Sequence, residues 1–536
     1  MSGTRKSAVI VSIAVMGSRV LGLVREIVFI SLFGAGKFYD AYLGAFKIPN
    51  LFRDLFAEGA LSTAFTSVFT KKLEKEGERS AWDLANLVLT LLLLGMGILC
   101  LGGIFFSPGI VAITNPGFHN VPGKFELTVQ LTQILFPFIV FVSLAALVMG
   151  MLNAKMIFGI PSSASSAFNF VSIIAGVFFA YLFEPQEKIF NPHFTEKGLI
   201  GVAFGVLLGG LAQLVVQLPT LWRLGFRFHF RWDWNHPGLR EVWFLMIPSV
   251  IAGSAVQVNV MVNGIFASHI DGGLSWLNCA FRLVQFPIGL FGVAIATATL
   301  PAVARQQARN DLVAFGVTLR ESLRFMFFLT IPAAIGLAFF APRIVELIYQ
   351  HGQFHAEDTL QTSFALQAYT LGLVGYSGIK VLTPCFYALD LPKIPLNVSL
   401  IAIGINLLLN TLTVYVLHLG HVGLALSTGS LAMMNFLQLF FAMKSRLNLG
   451  SIGSWTIHLS KIFLASILAI LIAHYSLQQL TSFFDFQGSY QGVQSVIEIA
   501  ILIFIASISY LTFGWLLKME EMTTFVGLLK RKRSRK

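Results

Sequence analysis

Four arginines and several carboxylates stand in apolar stretches where a charge is costly. Arg19, Arg25 and Glu26 lie in "SRVLGLVREI", inside an apolar run from 8 to 33. Asp40, Lys47, Arg53, Asp54 and Glu58 follow in "YDAYLGAFKIPNLFRDLFAEGALS", and Arg282 stands inside "SWLNCAFRLVQFPIGLFG". An arginine at the centre of a spanning helix costs roughly 2.5–3.5 kcal/mol on insertion scales, so each of these needs a compensating interaction. A guanidinium offers five donors in a planar fork that matches phosphate oxygens bidentately, and it does not deprotonate. Arg19, Arg25, Arg53 and Arg282 lining one water-filled cavity would therefore suit a diphosphate better than a proton or a cation. The plainer alternative is internal pairing or snorkelling from helix ends. Asp54 and Glu58 share a helix face, Arg53 points elsewhere, and Arg19 and Glu26 are two turns apart, so local pairs do not neutralise all four arginines. Glu26 either tunes Arg19 or faces a neighbouring helix.

Geometry adds a condition. Arg19 and Arg25 point about 120° apart on an ideal helix. For both to face one cavity the helix must bend or unwind, and Gly17 and Gly22 are placed to allow it. Breaks at "KIPN" (47–50) and "QFPIG" (285–289) would free backbone N–H groups within the membrane for the same ligand.

The elements that carry these residues are set by composition. The 536 residues are 56% hydrophobic and only 12% charged, with a mean hydropathy of +0.77; soluble domains are about 25% charged. Apolar blocks of about 20 residues recur between short polar breaks, the mark of spanning helices and not of an outer-membrane barrel. The expected class is an all-α polytopic membrane protein with about 14 transmembrane helices. The basic start "MSGTRKSAVIVSIAVMG" leads into an apolar run that no small-residue cleavage site closes, so it reads as the uncleaved first helix.

Basic residues recur in alternate connections, from Arg5 and Lys6 through Lys71, Lys72, Arg223, Arg227, Arg231, Arg305 and Lys444 to the tail "KRKRSRK". The opposite connections hold little beyond Lys37, Lys124, Lys188 and Lys197. The positive-inside rule then places both termini in the cytoplasm. The net charge of +12 reads as topology plus contact with anionic lipid, and no nucleic-acid partner is expected. Cys100, Cys279 and Cys385 lie in apolar stretches without metal spacing and read as packing residues. "HGQFH" at 351–355 has metal-like spacing but reads as a solvated loop, so no metal site is expected. No P-loop is present.

"LFAEGALSTAF" at 55–65 aligns with "LFGVAIATATL" at 290–300, each in the second helix of its half. The echo suggests two six-helix lobes related by a pseudo-two-fold axis along the membrane normal, plus two C-terminal helices. The boundaries expected are 1–225 for the first lobe, 226–447 for the second, 448–520 for the last two helices and 521–536 for a basic cytoplasmic tail.

"SRVLGLVREI", "FGAGKFYDAYLGAFKIPNLFRDLFAEGALSTAF" and "FRLVQFPIGLFGVAIATATLP" resemble the corresponding segments of the MurJ (MviN-type) lipid II flippases, of the multidrug/oligosaccharidyl-lipid/polysaccharide exporter superfamily. The resemblance implies two lobes around a cationic cavity and a groove for a polyprenyl tail between the last two helices. It implies that Arg19, Arg25, Arg53 and Arg282 are the cavity arginines, and that Asp40, Glu58 and Ser275 hold gating or supporting positions. Two departures stand out: Gln285 replaces the acidic residue often found one turn after the helix 8 arginine, and Phe281 replaces the Asp often preceding it.

The mechanism so implied is alternating access in the bacterial inner membrane. The arginines hold the diphosphate of lipid II, the lobes rock, and the undecaprenyl tail stays in lipid. An inside-negative potential favours export, by roughly 2.3 kcal/mol per charge per 100 mV if the full field is crossed. A monomer in membrane lipid, without cofactor or catalytic residues, is expected; no coupling ion is identified. The rivals are a flippase for another polyprenyl-diphosphate-linked oligosaccharide, a membrane enzyme acting on polyprenyl diphosphates, and an anion channel. The enzyme would need clustered carboxylates, and the adjacent acidic pairs, Glu357 with Asp358 and Glu520 with Glu521, both lie outside the apolar blocks.

Overall fold

The computed structural model describes residues 2–53, 61–188, 192–483 and 491–522. The apolar blocks read from the sequence fall on helix where their residues are described. The helices are α1 (Ser2–Phe33), α2 (described as Lys37–Phe52 and Leu61–Glu76), α3 (Glu78–Phe105), α4 (Lys124–Ala154), α5 (Gly159–Phe183), α6 (Glu196–Arg223) and α7 (Pro237–Ala267). They continue with α8 (Gly273–Ala308), α9 (Leu312–Phe339), α10 (Ala356–Ala388), α11 (Lys393–Val416), α12 (Gly420–Lys444), α13 (Ile452–Phe483) and α14 (Gln491–Leu516). Ten helices among the described residues are long and apolar enough to cross a bilayer by length and composition alone. The helices outside that group are α1, α2, α7 and α10. Glu58 and Asp54, and the tail beyond residue 522, lie outside the described residues.

By packing, the chain forms two compact units. The first is Met1–Ser275 with His351–His355. Its tightest helix pair is α5 with α6, and the cause is legible: Gly201, Gly205 and Gly209 recur one turn apart on α6. A Cβ on any of them would strike the backbone of Phe179, Gly176 or Phe168 on α5. Lipid tails are as apolar as leucine, so two helices in a membrane gain most by close backbone approach over such a small-residue stripe. Phe65, Phe69, Leu84, Leu147 and Met151 form the apolar core where α2, α3 and α4 meet.

The second unit is Trp276–Gln350 with Ala356–Lys536. It repeats the device, since Gly372 and Gly375 of α10 lie against Gly429 and Ala432 of α12 without room for a Cβ. Its core gathers Phe327, Phe328, Phe436 and Phe440 with Trp455 of α13, and Tyr510 of α14 donates to the Phe328 carbonyl at 2.8 Å. The two C-terminal helices are thus fastened to α9.

The expected unwinding of the first helix is not found: α1 is helical throughout Ser2–Phe33. Gly22 lies beside α5. Its α-carbon faces Asn169 of α5, whose amide donates to the Ser18 carbonyl at 3.1 Å. The break at "QFPIG" takes a specific form, with Pro287 followed by a π-helical turn over Ile288–Val293. A π turn widens the helix by one residue and shifts the register of backbone donors, a distortion common at functional sites.

Candidate functional site

In the first unit the embedded charges are met by partners from other helices. Arg25, half-buried, places its guanidinium over the ring of Phe168 at 4.9 Å and that of Phe46 at 5.7 Å. Phe138 joins them, 5.4 Å from Phe46 and 5.5 Å from Phe168. Rings of α2 and α5 therefore seat the α1 cation, with Phe138 of α4 packed behind them. Cation–π contacts are worth about 0.5–2 kcal/mol, which offsets part of the insertion cost. Arg19, six residues earlier on the same unbroken helix, is exposed, while Glu26 is buried at 3%. Arg53 is half-buried.

Lys47 also finds a partner. Its ammonium donates to the Val260 carbonyl on α7 at 2.6 Å, and a Cβ at Gly264, one turn later, would collide with the Lys47 side chain. Glycine is what lets the cation reach an otherwise shielded carbonyl. Gly264→Leu is therefore expected to expel Lys47 and lower the melting temperature by several degrees, about 1–3 kcal/mol for overpacking; an unchanged melt would refute this role.

Asp40 forms the densest cluster. Fully buried, its carboxylate accepts from Lys124 Nζ at 2.8 Å, Gly272 N at 2.9 Å, Ser275 N at 2.9 Å and Ser275 Oγ at 2.6 Å. Lys124, itself buried, also reaches Asp271 at 2.8 Å and lies 4.7 Å over the Phe118 ring. The carboxylate caps the first turn of α8, where free N–H groups and the helix dipole favour negative charge. Beside it Gly117 N donates to Ser268 Oγ at 3.0 Å. Asp40 and Ser275, expected to share a supporting role, are thus in direct contact. Lys124 was not singled out by sequence, because a lone lysine near a helix start looks like any connection lysine.

In the second unit Arg282 is half-buried on α8. Phe281, in place of the family's frequent Asp, packs against Tyr369 at 5.3 Å and Tyr376 at 5.8 Å. The departure exchanges a carboxylate for an aromatic contact with α10. Gln285 is exposed.

The "HGQFH" segment is a loop with His351, Gly352 and His355 exposed, and its middle is docked. Gln353 N donates to the Ser31 carbonyl at 2.8 Å and its side chain to Pro192 O at 3.0 Å, and Phe354 is buried at 1%. Left-handed Gly34 and Gly352 allow the two backbones to meet. Among the described residues no group of three or more His, Cys, Asp or Glu is arranged to hold a metal.

Long apolar helices joined by short connections, with guanidinium, ammonium and carboxylate groups seated inside them, define a multi-span membrane transporter. The family model described as "Lipid II flippase MurJ" matches residues 29–490, a span that includes Arg53, Arg282, Asp40 and Ser275 and begins after Arg25. The chain belongs to the lipid II flippase MurJ family. It is 35% identical over 443 residues to the probable lipid II flippase MurJ of Vibrio cholerae, covering 81% of this chain and 82% of that one. It is also 35% identical over 434 residues to the lipid II flippase MurJ of Burkholderia cenocepacia, covering 80% and 81%. A solved structure titled as lipid II flippase MurJ in an inward closed conformation superposes with a TM-score of 0.76 at 26% identity, covering 95% of this chain and 99% of that one.

Proposed function

We propose that this chain carries lipid II across the bacterial inner membrane by alternating access, holding the diphosphate with Arg19, Arg25, Arg53 and Arg282. As a member of a flippase family it is a carrier and not an enzyme. The observation that supports the arginine assignment most directly is the seat of Arg25. Two aromatic rings from two other helices, Phe46 and Phe168, hold the guanidinium, and Phe138 packs against both rings, which gives a polyanion a preorganised partner. Arg53 stands in the charged stretch of α2, and Arg282 seven residues into α8 from Ser275.

Glu26, Asp40, Glu58 and Ser275 act in support, Asp40 and Ser275 by fixing where α8 begins. In this reading residues 1–225 and 226–447 form the two lobes, and α13 with α14 forms the groove for the polyprenyl tail. Both termini are cytoplasmic, the protein works as a monomer, and the membrane potential drives the anionic headgroup outward. The deciding experiment is rescue. The wild-type chain should restore growth and outer-leaflet lipid II in cells depleted of their own lipid II flippase, with an Arg25→Ala chain expressed at equal level failing. Failure of the wild type, or success of the variant, would overturn the proposal.

A further inference from the structure

The connection from α6 to α7 carries a pattern that lipid II transport does not use. "FRFHFRWDW", residues 226–234, alternates aromatic and mostly polar side chains and is not helical. Its backbone is fastened to α3: His229 N donates to Asn86 Oδ1 at 2.8 Å and Arg231 N to Thr90 Oγ1 at 3.2 Å. Asn86 and Thr90 are one helical turn apart, about 6 Å, which two extended residues also span at about 3.3 Å each. The segment thus runs alongside α3, one donor per turn. Phe226 anchors its start against Trp82 at 5.4 Å. Its far end is set by His236, whose Nδ1 accepts from Gly238 N at 3.2 Å; burial, with Lys72 nearby, pushes the His236 pKa down and keeps that acceptor neutral.

The free face is aromatic. Phe228, Phe230, Trp232 and Trp234 are 48%, 67%, 55% and 54% exposed, and the two indoles meet edge to face at 5.4 Å. Alternation puts Phe228, Phe230 and Trp232 on one side of the extended stretch, and Trp234 stands in the turn that follows. In water such a row would be an aggregation hazard; along the flank of a spanning helix it has a natural occupant. Depth follows from α3. Asp83 is the last charged residue of α3, so Thr90 lies about 10 Å further in, near the boundary of headgroups and acyl chains where indoles concentrate. Arg231, held by its backbone at the level of Thr90, turns back to pair with Asp83 at 2.6 Å, the behaviour of a cation returning to the interface. Asp233 is engaged by Asn235 N at 3.0 Å and Glu241 by Lys71 at 2.7 Å. Exposed Arg223 and Arg227 have no ion pair among the described residues; Arg227 Nη1 donates to the Trp222 and Phe226 carbonyls, each at 2.9 Å.

We infer that residues 226–235 form a lipid-seated strap: its four aromatic rings enter the leaflet at the Glu78 end of α3, and Arg223 and Arg227 take the phosphates of anionic phospholipids there. Amphipathic segments lie with their apolar face about 5–10 Å into this boundary, and each basic residue near an anionic surface adds about 1 kcal/mol. The strap thereby ties the position of α3 to the composition of one leaflet.

Full-length protein in nanodiscs tests this, with W232F/W234F as the reference whose subtraction isolates the emission of the two indoles. The difference emission should be quenched about two-fold more by phosphatidylcholine brominated high on the acyl chain than by lipid brominated near the terminal methyl. Aqueous iodide should have little effect. Phosphatidylglycerol in the disc should strengthen the lipid quenching, and R223Q/R227Q should remove that gain. If W232F/W234F does not stay monodisperse, W234F alone gives the same readout. Quenching by iodide with indifference to brominated lipid, which is the behaviour of a protein-docking or solvent face, overturns the proposal. Equal quenching in neutral and anionic discs overturns its anionic part.

Discussion

Arg25→Ala is expected to reduce lipid II export to background while leaving the protein inserted and its melting temperature within a few degrees of wild type. Two magnitudes support this. An arginine inside a spanning helix costs about 2.5–3.5 kcal/mol to insert, whereas aromatic faces such as those of Phe46 and Phe168 supply about 0.5–2 kcal/mol. Truncation to alanine removes both terms, so the fold loses little. Transport loses a fork of donors whose charge-assisted hydrogen bonds are worth about 1.5–3 kcal/mol each. Arg25→Lys refines the point: a lysine keeps the charge but not the bidentate geometry, and export should fall by roughly ten-fold or more. Export is measured as lipid II accessible to an externally added lipid II-cleaving protein. Export in the alanine variant equal to wild type would remove Arg25 from the diphosphate site.

The positions of the helices were legible because the bilayer imposes a length and forbids unpaired backbone, so apolar blocks near 20 residues can hardly be anything else. The glycine stripe on α6 was present in the sequence as Gly201, Gly205 and Gly209, yet its partner was not, since any helix could have faced it. The site was legible in its charges and illegible in their company. Arg25 was conspicuous, but Phe46, Phe138 and Phe168 come from three separate helices of a chain rich in phenylalanine, and nothing in their spacing joins them. Lys124 escaped for the same reason: its role rests on Asp40 and Asp271, which lie 84 and 147 residues away. The neighbour of Gly22 was equally hidden, since Asn169 stands on another helix far along the chain. The docking of "HGQFH" onto Ser31 is likewise a contact over hundreds of residues, which local polarity cannot reveal.

Lys124→Ala should be the most destabilising single change in the Asp40 cluster, by about 3–5 kcal/mol, because it leaves a fully buried carboxylate without its cation. The order of the other variants follows from what each leaves behind. Asp40→Asn keeps an acceptor for Ser275 and leaves Lys124 with Asp271, so about 1–3 kcal/mol is expected. Ser275→Ala removes only the hydroxyl bond at 2.6 Å while the backbone bond at 2.9 Å remains, for about 1 kcal/mol. Combining Lys124→Met with Asp40→Asn should recover much of the loss, since a pair replaced on both sides strands no buried charge. Thermal melts of the purified protein give the order directly; an Asp40→Asn as damaging as Lys124→Ala would show that the carboxylate's charge, and not its pairing with Lys124, holds the cluster. Export offers a separate readout. Ser275 and Arg282 are two turns apart on α8, so loosening the cap shifts the arginine's reach along the same helix, and Ser275→Ala should weaken lipid II transport by more than its small effect on the melt implies.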